Sequence, residues 1–331
     1  MKPPLRAVCA EFGLGAPRGA IRLAGTRNLN YRLRTERGEW LLRRRYAGYN
    51  QPARLDFDAA AARFLAGAGL PVAPPLPSRS GAAAWSRKGE QWQVYPFLPG
   101  RPLVDGDPAD AAALGRALAV WHRLGRDFSP DFEKLGTWGE LAPSELRRVL
   151  ERLGGETPGL EDRLDDYRGL METTARQLDS KAGWPLTLVH GDLQPGNILV
   201  EADRVSGFLD LDWCGRRSRL YDLAFVFLFC CAGHDRPLAG GDIWTLTQPP
   251  RWRRPAFESC AAAYFSDAGS RLTAAEAAEL PARVRLAWCH TRLHGALKVA
   301  RGRRRYFLGR EGWSDPPADI YNFFTRGEWP R

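Results

Sequence analysis

The chain has 331 residues, 44% of them hydrophobic, with 12 Trp, 15 Phe and 9 Tyr and a net charge of +10. A chain of this length buries about three quarters of its unfolded surface and suits two lobes, which excludes a disordered or fibrous protein. The most apolar run, Leu223 to Gly233, is about half the ~20 residues needed to cross a bilayer, so it reads as a buried helix. Met1-Lys2-Pro3-Pro4 leads into no apolar signal core, and the six cysteines show no zinc or redox spacing. Reduced thiols and a cytoplasmic location without a membrane partner are expected. The positive charge is dispersed apart from Arg43-Arg44-Arg45 and the arginines of 301–305. This pattern fits solvated helix faces and disfavours nucleic acid as a partner.

Along the chain, Ile21-Arg22-Leu23, Tyr31-Arg32-Leu33-Arg34 and Trp40-Leu41-Leu42-Arg43 read as strands, punctuated by Gly25 and Asn28 and then by Glu36-Arg37-Gly38. Leu55 to Ala68 reads as a helix closed by Gly69. Two further strands, Trp85–Arg87 and Gln91–Tyr95, precede the breakers Pro96, Pro99 and Gly100. From about residue 106 the pattern turns helical: 109–123, 145–153, 162–178, 256–267 and 274–301. A short strand pair, 186–189 with 207–210, interrupts these helices. The layout is α+β, with a small antiparallel β lobe at 1–97 and a larger, mainly α lobe at 98–331.

The segment from Leu188 to Val200 carries the chemistry. An apolar strand ends in His190-Gly191-Asp192, a Pro-Gly turn follows, and Asn197 leads into a second apolar strand. Asp210 lies thirteen residues beyond Asn197, and Tyr221-Asp222-Leu223-Ala224 opens an apolar helix. Phosphoryl transfer needs an oriented hydroxyl, a proton acceptor and a cation on the phosphates. Asp192 suits the acceptor role. Asn197 and Asp210 offer one neutral and one anionic hard oxygen, as suits Mg²⁺ that keeps waters and nucleotide phosphates as its other ligands.

With these residues the sequence resembles the aminoglycoside phosphotransferase family, which includes antibiotic kinases, choline kinases and the second type of homoserine kinase. The resemblance implies a two-lobed protein-kinase-like fold that uses ATP and Mg²⁺ to phosphorylate a small hydroxylated molecule. It implies Asp192 as base and Asn197 and Asp210 as metal ligands, with His190 and Asp222 bracing the loop. Gly25-Thr26-Arg27-Asn28 resembles the phosphate loop. Arg43 stands where the family has its ATP-binding lysine, and Asp58 stands where it has a helix glutamate, implying an Arg43–Asp58 pair. Val94-Tyr95-Pro96-Phe97 resembles the adenine-binding hinge, with main-chain contacts from Tyr95 and Phe97.

Asp212 is open between substrate contact and pairing with an arginine. His290 and His294, four apart, read as a core or cleft-facing pair, because no Glu or third ligand completes a zinc motif. Asp162, Asp165 and Asp166 read as a solvated helix face, and Ala239-Gly240-Gly241 as a loop. The overall pattern favours a homoserine-kinase-like acceptor. An aminoglycoside acceptor is the alternative, opposed by 16 Lys/Arg against 10 Asp/Glu after residue 232. A catalytically silent nucleotide-binding protein is the reading of a different class. Oligomeric state and ATP-versus-GTP preference have no signature in the sequence.

Overall fold

Period-two alternation in residues 29–44 builds the first layer, because Tyr31, Leu33 and Leu42 turn to one face while Leu41 and Arg43 turn to the other. In the computed structural model, residues 3–25, 27–130, 134, 141–178, 184–238, 242–309 and 313–320 are described. Met1, Lys2, Thr26 and the 239–241 loop lie outside them. Helix α1 (Leu5–Phe12) packs Val8 and Cys9 on the apolar face of the sheet, against Trp92 and Val94. The sheet comprises β1 (Pro17–Arg22), β2 (Leu29–Thr35), β3 (Gly38–Arg44), β4 (Trp85–Arg87) and β5 (Glu90–Pro96), all antiparallel in the order β1-β2-β3-β5-β4. Helix α2 (Pro52–Gly67) starts on Pro52 and is Ala-rich, and Gly69 follows its end at φ +86°.

After the hinge, β6 (Arg101–Pro102) leads into α3 (Pro108–Gly125), whose N-cap Asp107 accepts from the N–H groups of Ala109 and Asp110. Next come α4 (Pro143–Glu156), α5 (Glu161–Ala175), β7 (Leu186–Val189), β8 (Ile198–Glu201), β9 (Arg204–Phe208) and β10 (Gly215–Ser218). The expected pairing of 186–189 with 207–210 is not formed. Strand β7 pairs with β10, while β9 pairs with β8, its neighbour across a tight turn. Helix α6 (Leu220–Val226) continues as a π-helical turn over Phe227–Cys231, every residue of it buried, as the apolar run predicts. Helices α7 (Arg254–Phe265), α8 (Ala274–Ala296) and α9 (Arg304–Gly309) complete the large lobe around one apolar core.

The result is the expected α+β, two-lobed kinase-like architecture. Phe208 N–H bonds Pro71 O at 2.8 Å, and Val72 bridges Phe208, so the segment leaving α2 is docked on the strand that leads to Asp210. Among the described residues, no helix is long and apolar enough to cross a membrane.

Candidate active site

The His190–Asn197 loop is positioned by Asp222, at the start of α6. Its carboxylate accepts from His190 N–H at 2.7 Å and Gly191 N–H at 2.9 Å, and His122 Nε2 lies 3.2 Å away. His122, from α3, is backed by the Tyr264 hydroxyl at 2.8 Å. Burial opposes charge on Asp222, but its bond with His122 and the loop N–H groups outweigh this and hold it below the usual carboxylate range. His190 Nδ1 accepts from Asp192 N–H at 3.3 Å while Nε2 donates to Leu209 O at 2.9 Å, as only a neutral ring can. Burial accordingly pushes the His190 pKa down. Gly191 sits at φ +82°, and a Cβ there would fall 2.1 Å from Trp213 O, so the turn admits no side chain.

Within this loop the Asn197 amide donates to Asp192 O at 2.9 Å and to Asp192 Oδ2 at 3.0 Å, and the Gln194 side chain donates to Oδ1. The amide oxygen of Asn197 is thereby turned away from Asp192. Leu209 N–H bonds Asn197 O at 2.8 Å, which fixes Asp210 beside the loop. The strand read over 207–210 stops short of Asp210. Strand β9 ends at Phe208, Asp210 is left-handed at φ 63°, and Leu211–Trp213 forms a 3₁₀ turn. Burial raises the pKa of Asp192, with the nearby Asp210 charge adding to it against the Gln194 bond. Burial likewise raises Asp210, opposed by Arg43 and reinforced by Asp212. Two carboxylates that repel each other beside an amide oxygen form a donor set that a hard divalent cation would relieve.

Opposite this loop lies a buried ion network. Arg43 donates through Nε to Asn30 Oδ1 at 3.0 Å and through Nη1 to Asp210 at 3.0 Å and Asp212 at 3.4 Å. The Arg43–Asp58 pair implied by the resemblance is not made. Asp58 instead pairs with Lys134 and, at 3.6 Å, with Arg45. Arg45 lies two residues beyond Arg43 and shares its face, and its Nη1 also binds Asp212. Asp212 therefore takes the arginine-pairing alternative. Burial opposes its charge, but Arg45 and Arg43 hold it far below the usual carboxylate range. Arg54, whose guanidinium lies 5.1 Å from the Tyr49 ring and 4.8 Å from the Trp213 ring, donates to Asp212 O at 2.6 Å.

Asn28, read as a phosphate-loop residue, has its side chain turned inward. It donates to Asp212 Oδ2 at 2.7 Å and accepts from Tyr46 N–H at 2.9 Å, so it shapes the loop. Gly25 is exposed at the loop's start. The hinge reading shifts by one residue. Val94 O bonds Leu76 N–H on the side away from β3, and Phe97 N–H bonds Glu39 O at 3.3 Å on the β3 side. Alternation then turns the Tyr95 and Phe97 main chain toward β3 and leaves Pro96 C=O and Leu98 N–H on the open side.

These elements line an open cleft whose walls include Leu41, Arg43, Tyr95, Leu98, Leu199 and Asp210. Away from it, His290 and His294 stack edge to face at 4.5 Å, and burial holds both rings well below their usual pKa and neutral. The arginine cluster is engaged within the chain: Arg303 over Trp244, Arg304 with Glu156, and Arg305 with Asp162. Sequence reasoning missed Gln194, Arg45, Arg54, His122 and Lys134. The two-residue spacing of Arg43 on β3 and Arg45 just past its end was the available signal for Arg45; Lys134 had none.

Residues 20–257 match the model of the phosphotransferase enzyme family. A homoserine kinase of Beijerinckia indica subsp. indica is 30% identical over 294 residues, covering 84% of this chain and 80% of that one. An uncharacterized protein of Deinococcus radiodurans is 31% identical over 223 residues, 66% of this chain and 63% of its own length. Among solved structures, an amicoumacin kinase in complex with AMP-PNP, Ca²⁺ and Ami superposes with a TM-score of 0.66 at 19% identity, covering 97% of this chain and 91% of that one. The chain belongs to the phosphotransferase enzyme family and is a kinase-type transferase with an alcohol group as acceptor.

Proposed function

We propose that this phosphotransferase moves the γ-phosphoryl group of ATP to the hydroxyl of a small, homoserine-like acceptor, with Asp192 as the general base. The observation that carries this reading is the bonding of Asn197 to Asp192, together with the Leu209–Asn197 main-chain bond that sets Asp210, a residue of the cleft wall, beside them. Asp192, ionised, accepts the acceptor's proton as its oxygen attacks, and Asn197 and Gln194 hold the carboxylate in place. Asn197 and Asp210 would hold Mg²⁺, which supplies charge neutralisation to the nucleotide phosphates. Arg43 faces the same phosphates, and a guanidinium fork suits them. The loop at Gly25 closes over the phosphates through its main chain, with Asn28 as its internal brace. Adenine lies along Pro96 C=O and Leu98 N–H, with Tyr95 and Phe97 contributing cleft wall. The nucleotide lobe is taken as 1–97 and the acceptor lobe as 98–331.

The homoserine kinase relative at 30% identity supports the acceptor class. Lys298, just past α8, lies within electrostatic reach of Asp192 and Asp210, which suits an acceptor bearing an anionic group better than a polycation. The test is ADP release across a panel of homoserine, choline and aminoglycosides. Homoserine turns over fastest, and Asp192→Ala lowers kcat by about 10²–10⁴-fold while nucleotide still binds. Equal turnover by the variant would remove Asp192 from the role.

A further inference from the structure

The acid of α2 and the cation of β3 are not each other's partners, and the group that takes the acid is Lys134. This residue belongs to the connection between α3 and α4 in the large lobe, yet its side chain is only 2% exposed. An ammonium has three N–H donors and no acceptor. Here they meet Asp58 Oδ1, Asp212 O at 2.9 Å and Cys214 O at 3.0 Å, with Leu211 O at 3.3 Å sharing. The Phe57 ring lies 5.5 Å from Nζ. The carbonyls belong to the turn that follows Asp210, and Asp58 belongs to the small-lobe helix. A buried ammonium is tolerated only where a carboxylate and dipoles compensate its desolvation, and this site supplies one carboxylate and three aligned carbonyls.

We propose that Lys134 is a positioning residue for the phosphoryl-transfer site. It ties α2 to the 211–214 turn, so the attitude of the small-lobe helix and the placement of Asp210 are set together. By neutralising Asp58 it leaves Arg43 to Asp210, Asp212 and the nucleotide. The assignment rests on the reading of Asp210 as a metal ligand.

Lys134→Met removes the charge and keeps the stem. Outer partners of metal ligands are worth about 10–100-fold in affinity, so the variant should raise the Mg²⁺ concentration for half-maximal activity and the KM for Mg·ATP by about that factor, with kcat less affected. Asp58→Asn should produce the same shift, and the double variant no more than either alone. Melting curves confirm that each variant is folded at the assay temperature. Should Lys134→Met not fold, Asp58→Asn decides by the same readout. Asp210→Ala runs alongside. If it leaves metal dependence unchanged, the metal assignment falls, and this proposal with it. If it abolishes metal response while the folded Lys134 and Asp58 variants keep wild-type values, or if their losses add, the positioning role alone is overturned.

Discussion

On the large-lobe side of the cleft, one carboxylate holds two consecutive main-chain N–H groups and a buried imidazole, and the loop it anchors carries Asp192 and Asn197. Facing it, between the lobes, Arg43, Arg45 and Asp58 of the small lobe meet Asp210, Asp212 and Lys134 of the large lobe, drawn from β3, its continuation, α2, the 210–212 turn and a distant loop. The first side is a neutral-ring and main-chain arrangement in which the His190 and Gly191 N–H groups are fixed by the turn that carries them. The second is a set of long cations that can exchange anions among themselves. Geometry is therefore fixed more tightly around the proposed base, Asp192, than around Arg43 and Arg45.

The largest effect should come from Asp222→Ala. Losing the carboxylate leaves the N–H groups of His190 and Gly191 and Nε2 of His122 without this partner in the core, at about 1–3 kcal/mol each. A melting temperature lower by on the order of 10 °C and a collapse of kcat are expected, read by thermal denaturation and steady-state assay. A change of a degree or two would break the contrast between the walls. Gly191→Ala comes next, at about 2–3 kcal/mol, because the left-handed backbone and the contact with Trp213 O both oppose a methyl group. Across the cleft, Arg43→Lys should cost only a few-fold in nucleotide KM, since Arg45 remains on Asp212 and a shorter point charge replaces the fork. A loss as deep as that of Asp222→Ala would show the network to be as rigid as the loop.

A pH series sharpens the contrast with the smallest perturbation. Asp212 and Asp222 have folded pKa values below the usual range. Each stabilises the fold above the unfolded value of about 3.9, and that contribution is lost as pH falls toward the folded values. Asp192 is shifted the other way. Its proton binds more tightly in the folded state, so the ionised base disappears first on acidification. The acid limb of kcat/KM should therefore lie above about pH 3.9, at a pH where circular dichroism still reports a folded chain, and activity should return on neutralisation. Coincident loss of activity and fold would contradict this ordering.

The same contrast explains what could be read beforehand. The His190–Asn197 loop, the strands of the small lobe and the long helices follow from local patterns: strand-like runs within 21–43, three- and four-residue apolar spacing in 109–123, and a glycine between a histidine and an aspartate. Asp222 was expected as a brace only through the family resemblance, and the structure gives it two main-chain partners in the turn. The pairing of Asp58 was not legible, because three cations converge on it and its neighbours, and no local rule says which is nearest. Strand β7 was assigned the wrong partner for a related reason. Its apolar run states that it is a buried strand, while the choice of β10 over β9 depends on the turn that Asp210 begins.

That turn has a consequence on another timescale. Asp210 holds a left-handed conformation that costs most L-residues roughly 1–2 kcal/mol, and that glycine, asparagine and aspartate visit most readily. Under the proposed metal role of Asp210, a lineage that gave up phosphoryl transfer while keeping the fold would be free to replace the carboxylate, but steric economy would steer the replacement to asparagine or glycine. The residue at this one position in related genomes is thus a fossil of lost catalysis, readable without assaying any protein.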